Sequence, residues 1–325
     1  MSLFWPFEIS INIFLQNLGF WLSPMMFFFS FLCQQDFFIL LLPIVYWCFD
    51  SSLAIRLTFL LSFSVFSNTL LKISFHGARP YWIDKRVLAI SSENSFGFPS
   101  GHAQHAVSIW GYFSTIVNKT WQRLFFFFLI FMIGFSRLYL GVHFLSDVIG
   151  GWIFGILILF LFITLEKPFL KWFNLFSDIR KILLISFLTL LIIFFGVFYT
   201  GYQSQFVVPE SWLANVLSNM HSININPYLL KDYISLCSVF WGFSVGNIFL
   251  SSKMIYNPLV GSISQKVTRI FIGLVGVIII LSFFSVFPSN FLANFDLLFH
   301  FIRYGIISIW VSAFAPLLFK KIKLL

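Results

Sequence analysis

The sequence predicts an all-α fold, a polytopic transmembrane helical bundle. Three observations predict it. Of the 325 residues, 59% are hydrophobic and only 10% are charged, against roughly 25% charged in soluble domains. Mean hydropathy is +0.94. Apolar runs long enough to cross a bilayer, about 20 residues each, recur along the whole chain. Phenylalanine alone supplies 49 residues, which suits a surface that faces lipid. So little charge cannot cover a water-facing surface of this size. A soluble enzyme, a disordered tail and a nucleic-acid module are excluded together.

The elements follow in order. Segment 9–32 is ambiguous, because Asn12, Gln16, Asn17 and Pro24 interrupt it. It either spans or lies partly in the interface. Run 37–50 is short and needs its flanks to span. Runs 54–75, 99–118, 124–142, 147–166, 182–200, 233–252, 267–288 and 298–319 each have the length and apolarity of a spanning helix. Two connections stand out, 76–98 and 201–232. Both are longer than a mere connector needs, and loops of that length are often functional.

The net charge of +9 is explained by placement. Lys119 and Arg123 share one loop, and Lys167, Lys171, Arg180 and Lys181 another. Lys253, Lys266 and Arg269 share a third, and Lys320, Lys321 and Lys323 form the tail. With alternating spans these fall on one side together with Arg56, which the positive-inside rule assigns to the cytoplasm. Lys72, Arg79, Lys85, Arg86, Arg137, Lys231 and Arg303 fall on the other. The expected location is the inner (cytoplasmic) membrane. The N-terminal MSLFWPFEIS has no basic n-region, so the first helices are expected to direct insertion. Cys33, Cys48 and Cys237 lie in or beside apolar runs without CxxC spacing and read as buried thiols.

Ionisable residues at membrane depth are expensive and point to function. They fall in three clusters: KISFHGARP (72–80), PSGH (99–102) and SRLYLGVHFLSD (136–147). Alternating topology brings all three to the outer face. Lys72 and Arg79, seven apart, share a helical face if the helix persists, and Arg137 adds a third cation. Three cations with few carboxylates nearby describe a phosphate site, with arginine as a planar fork and lysine as a point charge. Pro99 suits a first helical turn. The amides of Ser100, Gly101 and His102 would then point at an anion, and the Ser100 hydroxyl adds a donor. His143 and Asp147 are i, i+4, so the carboxylate orients one ring nitrogen and leaves the other as nucleophile. His102 is placed to protonate the leaving oxygen and then to activate water. The inferred chemistry is phosphoryl transfer through a phosphohistidine, followed by hydrolysis, with no metal and no cofactor.

The pattern K-x6-RP, PSGH, SR-x5-H-x3-D resembles the three-part signature of the type-2 phosphatidic acid phosphatase superfamily. Lys72, Arg79, Pro80, Pro99, Ser100, Gly101, His102, Ser136, Arg137, His143 and Asp147 occupy its positions. The stretches QQDFFILLLPIVYWCFD and SFGFPSGHAQHAVSIWGY resemble a bacterial branch with extra C-terminal helices. The resemblance implies a six-helix phosphatase core within residues 1–171 and about four further transmembrane helices in 172–325. It implies His143 as nucleophile, Asp147 as its orienting acid and His102 as general acid. Lys72, Arg79, Ser100, Gly101 and Arg137 become the phosphate cradle. The expected substrate is a membrane lipid phosphate or diphosphate held in the bilayer by its tail, with the site facing the periplasm or exterior.

Other readings are weaker. A metal site at His143 and Asp147, with His76, His102 or His105, is opposed by three cations that would repel the ion. His105, one turn beyond His102, reads as a packing or pocket residue. His221 and His300 read as loop or interfacial residues, and Asp36 and Asp50 as caps or interface residues. The sequon at Asn118 falls in a predicted cytoplasmic loop. Three alternatives to the hydrolase share most of its residues. One is a lipid phosphotransferase with the same nucleophile. Another is a sugar phosphatase of the glucose-6-phosphatase type, which a polar vestibule built from 201–232 would favour. The third is a transporter or flippase with a phosphatase-like core. Protein partners are unspecified.

Overall fold

The computed structural model describes residues 4–219, 225–228, 230–286 and 295–325. The described residues are helical, without a strand. In chain order the helices are α1 (Trp5–Gln16), α2 (Ser23–Phe31), α3 (Gln35–Cys48), α4 (Ser51–Phe75), α5 (Pro80–Ile83), α6 (Gly101–Ile116), α7 (Thr120–Tyr139) and α8 (Leu145–Phe173). They continue as α9 (Asp178–Gln203), α10 (Glu210–Asn219), α11 (Lys231–Lys253), α12 (Ile263–Ser285), α13 (Asp296–Ile309) and α14 (Ala315–Lys321). A π-helical turn, Trp310–Phe314, joins the last two.

Seven helical segments among the described residues have the length and apolarity to cross a membrane. Three predicted spans differ. Segment 9–32 is not one straight helix: α1 and α2 meet at an 83° bend. Gly19, at φ 114°, makes the bend possible, since this conformation disfavours any side chain. Tyr139 pins it, donating to Gly19 O (2.8 Å) and accepting from Ser23 Oγ (3.0 Å). Run 37–50 forms α3, of 14 residues. Run 99–118 forms α6, of only 16, because Ser100 caps it and the chain before it is bound to other elements. Loop 201–232 is not irregular throughout, since it carries the end of α9 and all of α10. His221 and Asn224, and the end of run 267–288, lie outside the described residues.

The chain forms two compact units that interleave along the sequence. The first comprises 1–37, 63–164 and 198–229; the second comprises 38–62, 165–197 and 230–325. The first unit's core includes Met26, Tyr81, Trp82, Phe96, Tyr139 and Val148. Within it α6 packs tightly on α8. A side chain at Gly151 would strike the Ser100 carbonyl and Ala103, so this glycine is what lets the PSGH segment lie against the start of α8. The second unit is centred on Tyr46, Trp47, Phe243, Val311 and Phe319. Trp47 Nε1 donates to Val311 O at 2.9 Å, and Tyr46 Oη donates to Ser312 O at 2.9 Å. The second unit also holds the Arg56–Glu166 ion pair. Outward-facing Phe160, Phe194, Leu190 and Ile278 are exposed, as lipid-facing positions should be.

Overpacking a close helix contact costs about 1–3 kcal/mol. Gly151→Leu is therefore expected to lower the melting temperature of the detergent-purified protein, and the exposed Ile153→Leu to leave it unchanged. Equal melting curves would contradict the packing described here.

Candidate functional site

The three motifs converge in the first unit. α4 ends at Phe75, and the chain turns through His76, with φ 49°, and Gly77. Arg79 then sits in extended conformation before α5. Lys72 and Arg79 therefore do not share a helical face, as their spacing suggested; a turn brings them together. Both are buried, and so is Arg137 at the end of α7. Their charge is met mostly by backbone. Lys72 Nζ donates to the carbonyls of Phe96 and Gly97. Arg79 donates to Ser95 O (2.7 Å), Phe96 O (3.1 Å) and Val142 O (2.8 Å), and to Ser95 Oγ (3.1 Å).

The PSGH segment is bound on both sides. Ser100 is the N-cap of α6, its hydroxyl accepting from Ala103 N at 3.5 Å. Its amide is not free, as the sequence suggested. It donates to Asp147 O at 2.9 Å and so joins the second motif to the third. The next amides, of Gly101 and His102, remain at the helix start. Gly101 lies close to Asn68 and His105. Asn68 Nδ2 donates to Pro99 O at 3.2 Å, holding the segment against α4.

His143 lies in the turn between α7 and α8 and is buried. Its Nδ1 is 3.2 Å from Asp147 Oδ2, and its Nε2 is 3.3 Å from Arg79 Nη1. A guanidinium only donates. Nε2 must then carry the lone pair, and Nδ1 the proton that it gives to Asp147. Asp147 Oδ2 also accepts from Phe144 N at 2.9 Å. Burial, with the charges of Arg79, Lys72 and Arg137, holds the imidazole well below its ordinary pKa, so it is neutral. His102 Nε2 is buried with no partner, and so is Arg137 Nε.

One residue escaped the sequence reading. Glu93 pairs with Arg137 at 2.5 Å, and its charge is felt by His102 and Lys72. Burial would raise its pKa, but Arg137, Arg79, His102 and Lys72 outweigh that and hold it down to about 2. Its signal was visible: Glu93 is the sole carboxylate between Arg86 and His102. It is one of the few carboxylates expected near the cations.

The remaining candidates have simpler surroundings. His105 Nδ1 is 2.8 Å from Ser64 Oγ, in a polar seam between α4 and α6 with Gln104, Asn68 and Ser108. His76 stacks on Phe206 at 4.3 Å. His300 lies 3.7 Å from Asp296, and Asp50 accepts from Leu53 N as a cap. The three cysteines are free and buried. Among the described residues no group of three or more His, Cys, Asp and Glu side chains is gathered as a metal ion requires. The described part of loop 201–232 is aromatic where it meets connection 76–98: Phe206 and Tyr228 pack on Phe96, Trp212 packs on Trp82, and Asn215 donates to Trp82 O at 2.9 Å.

Residues 53–171 match the PAP2 superfamily, and residues 234–325 match the PAP2 superfamily phosphatase, transmembrane extension. Phosphatidylglycerophosphatase B of Bacillus subtilis is 37% identical over 78 residues, 21% of this chain and 38% of that protein. Lipid phosphate phosphatase delta of Arabidopsis thaliana is 27% identical over 146 residues, 40% of this chain and 35% of that one. Lipid A 4'-phosphatase of Bacteroides thetaiotaomicron is 35% identical over 60 residues, 18% of this chain and 27% of that one. The chain thus spans well under half the length of the curated relatives it matches. A crystal structure of a transmembrane PAP2 type phosphatidylglycerolphosphate phosphatase from Bacillus subtilis overlaps 52% of this chain and 88% of its own, at TM-score 0.42 and 22% identity. The two matched regions together make up more than half of the sequence, and with the three converged motifs they identify this multi-span membrane protein as a member of the PAP2 superfamily.

Proposed function

We propose that the protein is an integral membrane lipid phosphatase that hydrolyses a lipid phosphate or diphosphate through a phosphohistidine at His143. The observation that carries this is the imidazole itself: neutral, with Nδ1 on Asp147 and its Nε2 lone pair among the three buried cations. Nε2 attacks phosphorus, and the bond to the leaving oxygen breaks. Protonated His102 gives that oxygen its proton. His102 then takes a proton from water, which attacks the phosphohistidine and releases phosphate and free His143. Lys72, Arg79 and Arg137, with the amides of Gly101 and His102, neutralise the phosphoryl oxygens, and no metal enters the step. The Ser100 hydroxyl donates a hydrogen bond to a phosphoryl oxygen in this reading. Residues 1–171 form the catalytic core in this reading, and 172–325 the additional helices.

Other features support particular parts of the reading. The relatives' names speak of lipid phosphates. The aromatic contacts of the loop before α11 favour a lipid headgroup over a soluble sugar, which calls for a polar vestibule. The distribution of cations favours a site on the outer face of the cytoplasmic membrane.

Three outcomes are expected. His143→Ala and His102→Ala should each abolish phosphate release across a panel of phosphatidate, phosphatidylglycerophosphate, polyprenyl diphosphate and glucose 6-phosphate, while still purifying as folded protein. Full activity in either variant would sink the mechanism. Activity should persist in EDTA; complete loss, restored by one added metal, would point to a metal site. The third outcome concerns pH. Because Arg79 helps to hold the His143 pKa down, removing its charge raises that pKa. The acid limb of kcat/KM in Arg79→Gln should therefore move to higher pH than in the wild type. An acid limb that stays in place would contradict the assignment of His143.

A further inference from the structure

Helix α1 lies outside the region matched to the superfamily, yet it holds the turn that carries His143. Glu8, Asn12 and Gln16 stand at i, i+4 and i+8, on one face of a helix whose other residues, save Ser10, are apolar. Polar groups in such a place are costly unless bonded. All three make bonds to nearby backbone, although Asn12 Oδ1 is buried without a partner. Glu8 Oε1 accepts from Ser146 N at 2.6 Å. Asn12 Nδ2 donates to Leu138 O at 2.8 Å and to His143 O at 3.1 Å. Gln16 Nε2 donates to Tyr139 O at 3.2 Å and to Leu88 O at 2.8 Å, and its Oε1 accepts from Leu88 N at 3.0 Å. Trp5 stacks on Phe144 with centroids 6.0 Å apart and planes 10° from parallel.

The turn needs this support. Leu138 and Tyr139 end α7, where helix carbonyls lose their regular partners. Ser146 opens α8, where amides lose theirs. Glu8 and Asp147 divide the amides of the turn between them, Ser146 N and Phe144 N. The imidazole of His143 is aimed by its side chain's bond to Asp147, but the position of its backbone is set from α1.

We propose that Glu8, Asn12 and Gln16 are positioning residues, which fix the backbone of the His143 turn so that Nε2 meets phosphorus in line. The inference rests on the reading of His143 as nucleophile. None of the three contacts the side chains of Lys72, Arg79 or Arg137, so substrate affinity should depend little on them. Misplacing a reacting group by about 1 Å costs on the order of 100-fold in rate.

The test is steady-state phosphate release from short-chain phosphatidate by the full-length protein in nanodiscs. Asn12→Ala and Glu8→Ala should lower kcat by about 10- to 100-fold, with KM within about twofold of the wild type, the signature of an interaction that serves the transition state. Glu8→Gln keeps an acceptor oxygen for Ser146 N and should recover most of the lost kcat. Asn17→Ala, at the exposed end of the same helix, should behave as wild type. If kcat in Asn12→Ala and Glu8→Ala stays within about twofold of wild type, the inference is overturned. If Asn12→Ala fails to fold, the Glu8 pair decides, and equal kcat for Glu8→Ala and Glu8→Gln overturns it. A wild type inactive on every lipid phosphate, or a fully active His143→Ala, overturns the phosphatase reading and this inference with it. An active wild type with unaffected α1 variants overturns this inference alone.

Discussion

Burying three cations at the ends of apolar helices is the constraint on which the site depends. An isolated buried charge is very costly, and it persists only when paired or richly hydrogen-bonded. Lys72, Arg79 and Arg137 are each less than a tenth exposed. One segment, 93–97, supplies most of what they need: the Glu93 carboxylate for Arg137, and the carbonyls of Ser95, Phe96 and Gly97 for Arg79 and Lys72. That segment in turn is held by Phe96, whose ring lies against Trp82, Phe206 and Tyr228. The packing of a loop distant in sequence thus bears on the charge state of the site.

The same arrangement sets the chemistry of His143. Arg79 cannot accept a hydrogen bond, so its contact with Nε2 leaves one tautomer. Asp147 accepts from the other nitrogen, and its own backbone carbonyl holds Ser100 N. One residue therefore orients the imidazole and ties the PSGH helix to it. Close approach at Gly151 makes that tie sterically possible. Each of these contacts uses a group that the membrane would otherwise leave unsatisfied.

Much of the site was legible in the sequence because its residues are anomalous there. A lysine, two arginines, two histidines and an aspartate at the ends of apolar runs have no bland explanation, and alternation of spans brings their helix ends together. What was not legible depended on tertiary partners. The spacing of Lys72 and Arg79 suggested a shared face, but nothing local shows that the helix stops at Phe75. Glu93 stands out locally only as the one carboxylate between Arg86 and His102, and its partner lies 44 residues away. Asn12 and Gln16 looked like doubt about whether 9–32 spans. They are instead the reason α1 sits where it does, and the bend at Gly19 lets it do so. In loop 201–232, α10 has a polar composition that gives no spanning signal, so the pattern of apolar runs passed over it.

Two buried arginines, Arg269 and Arg137, differ in how far their donors are met. Arg269, in the second unit, is fully buried and likewise neutralised by carbonyls. Its Nε donates to Leu324 O at 3.0 Å, and its Nη1 to Trp47 O and Pro258 O at 3.3 and 3.0 Å. Its Nη2 donates to Val260 O and Leu324 O. Every nitrogen is engaged, and the group joins the first turns of α12 to Leu324. Arg137 differs: its Nε is buried without a partner, as is His102 Nε2. Unsatisfied donors of this kind are rare in folded proteins because each costs about 1–3 kcal/mol. At Arg137 and His102 that cost falls beside one imidazole, that of His143, whose charge state both groups influence.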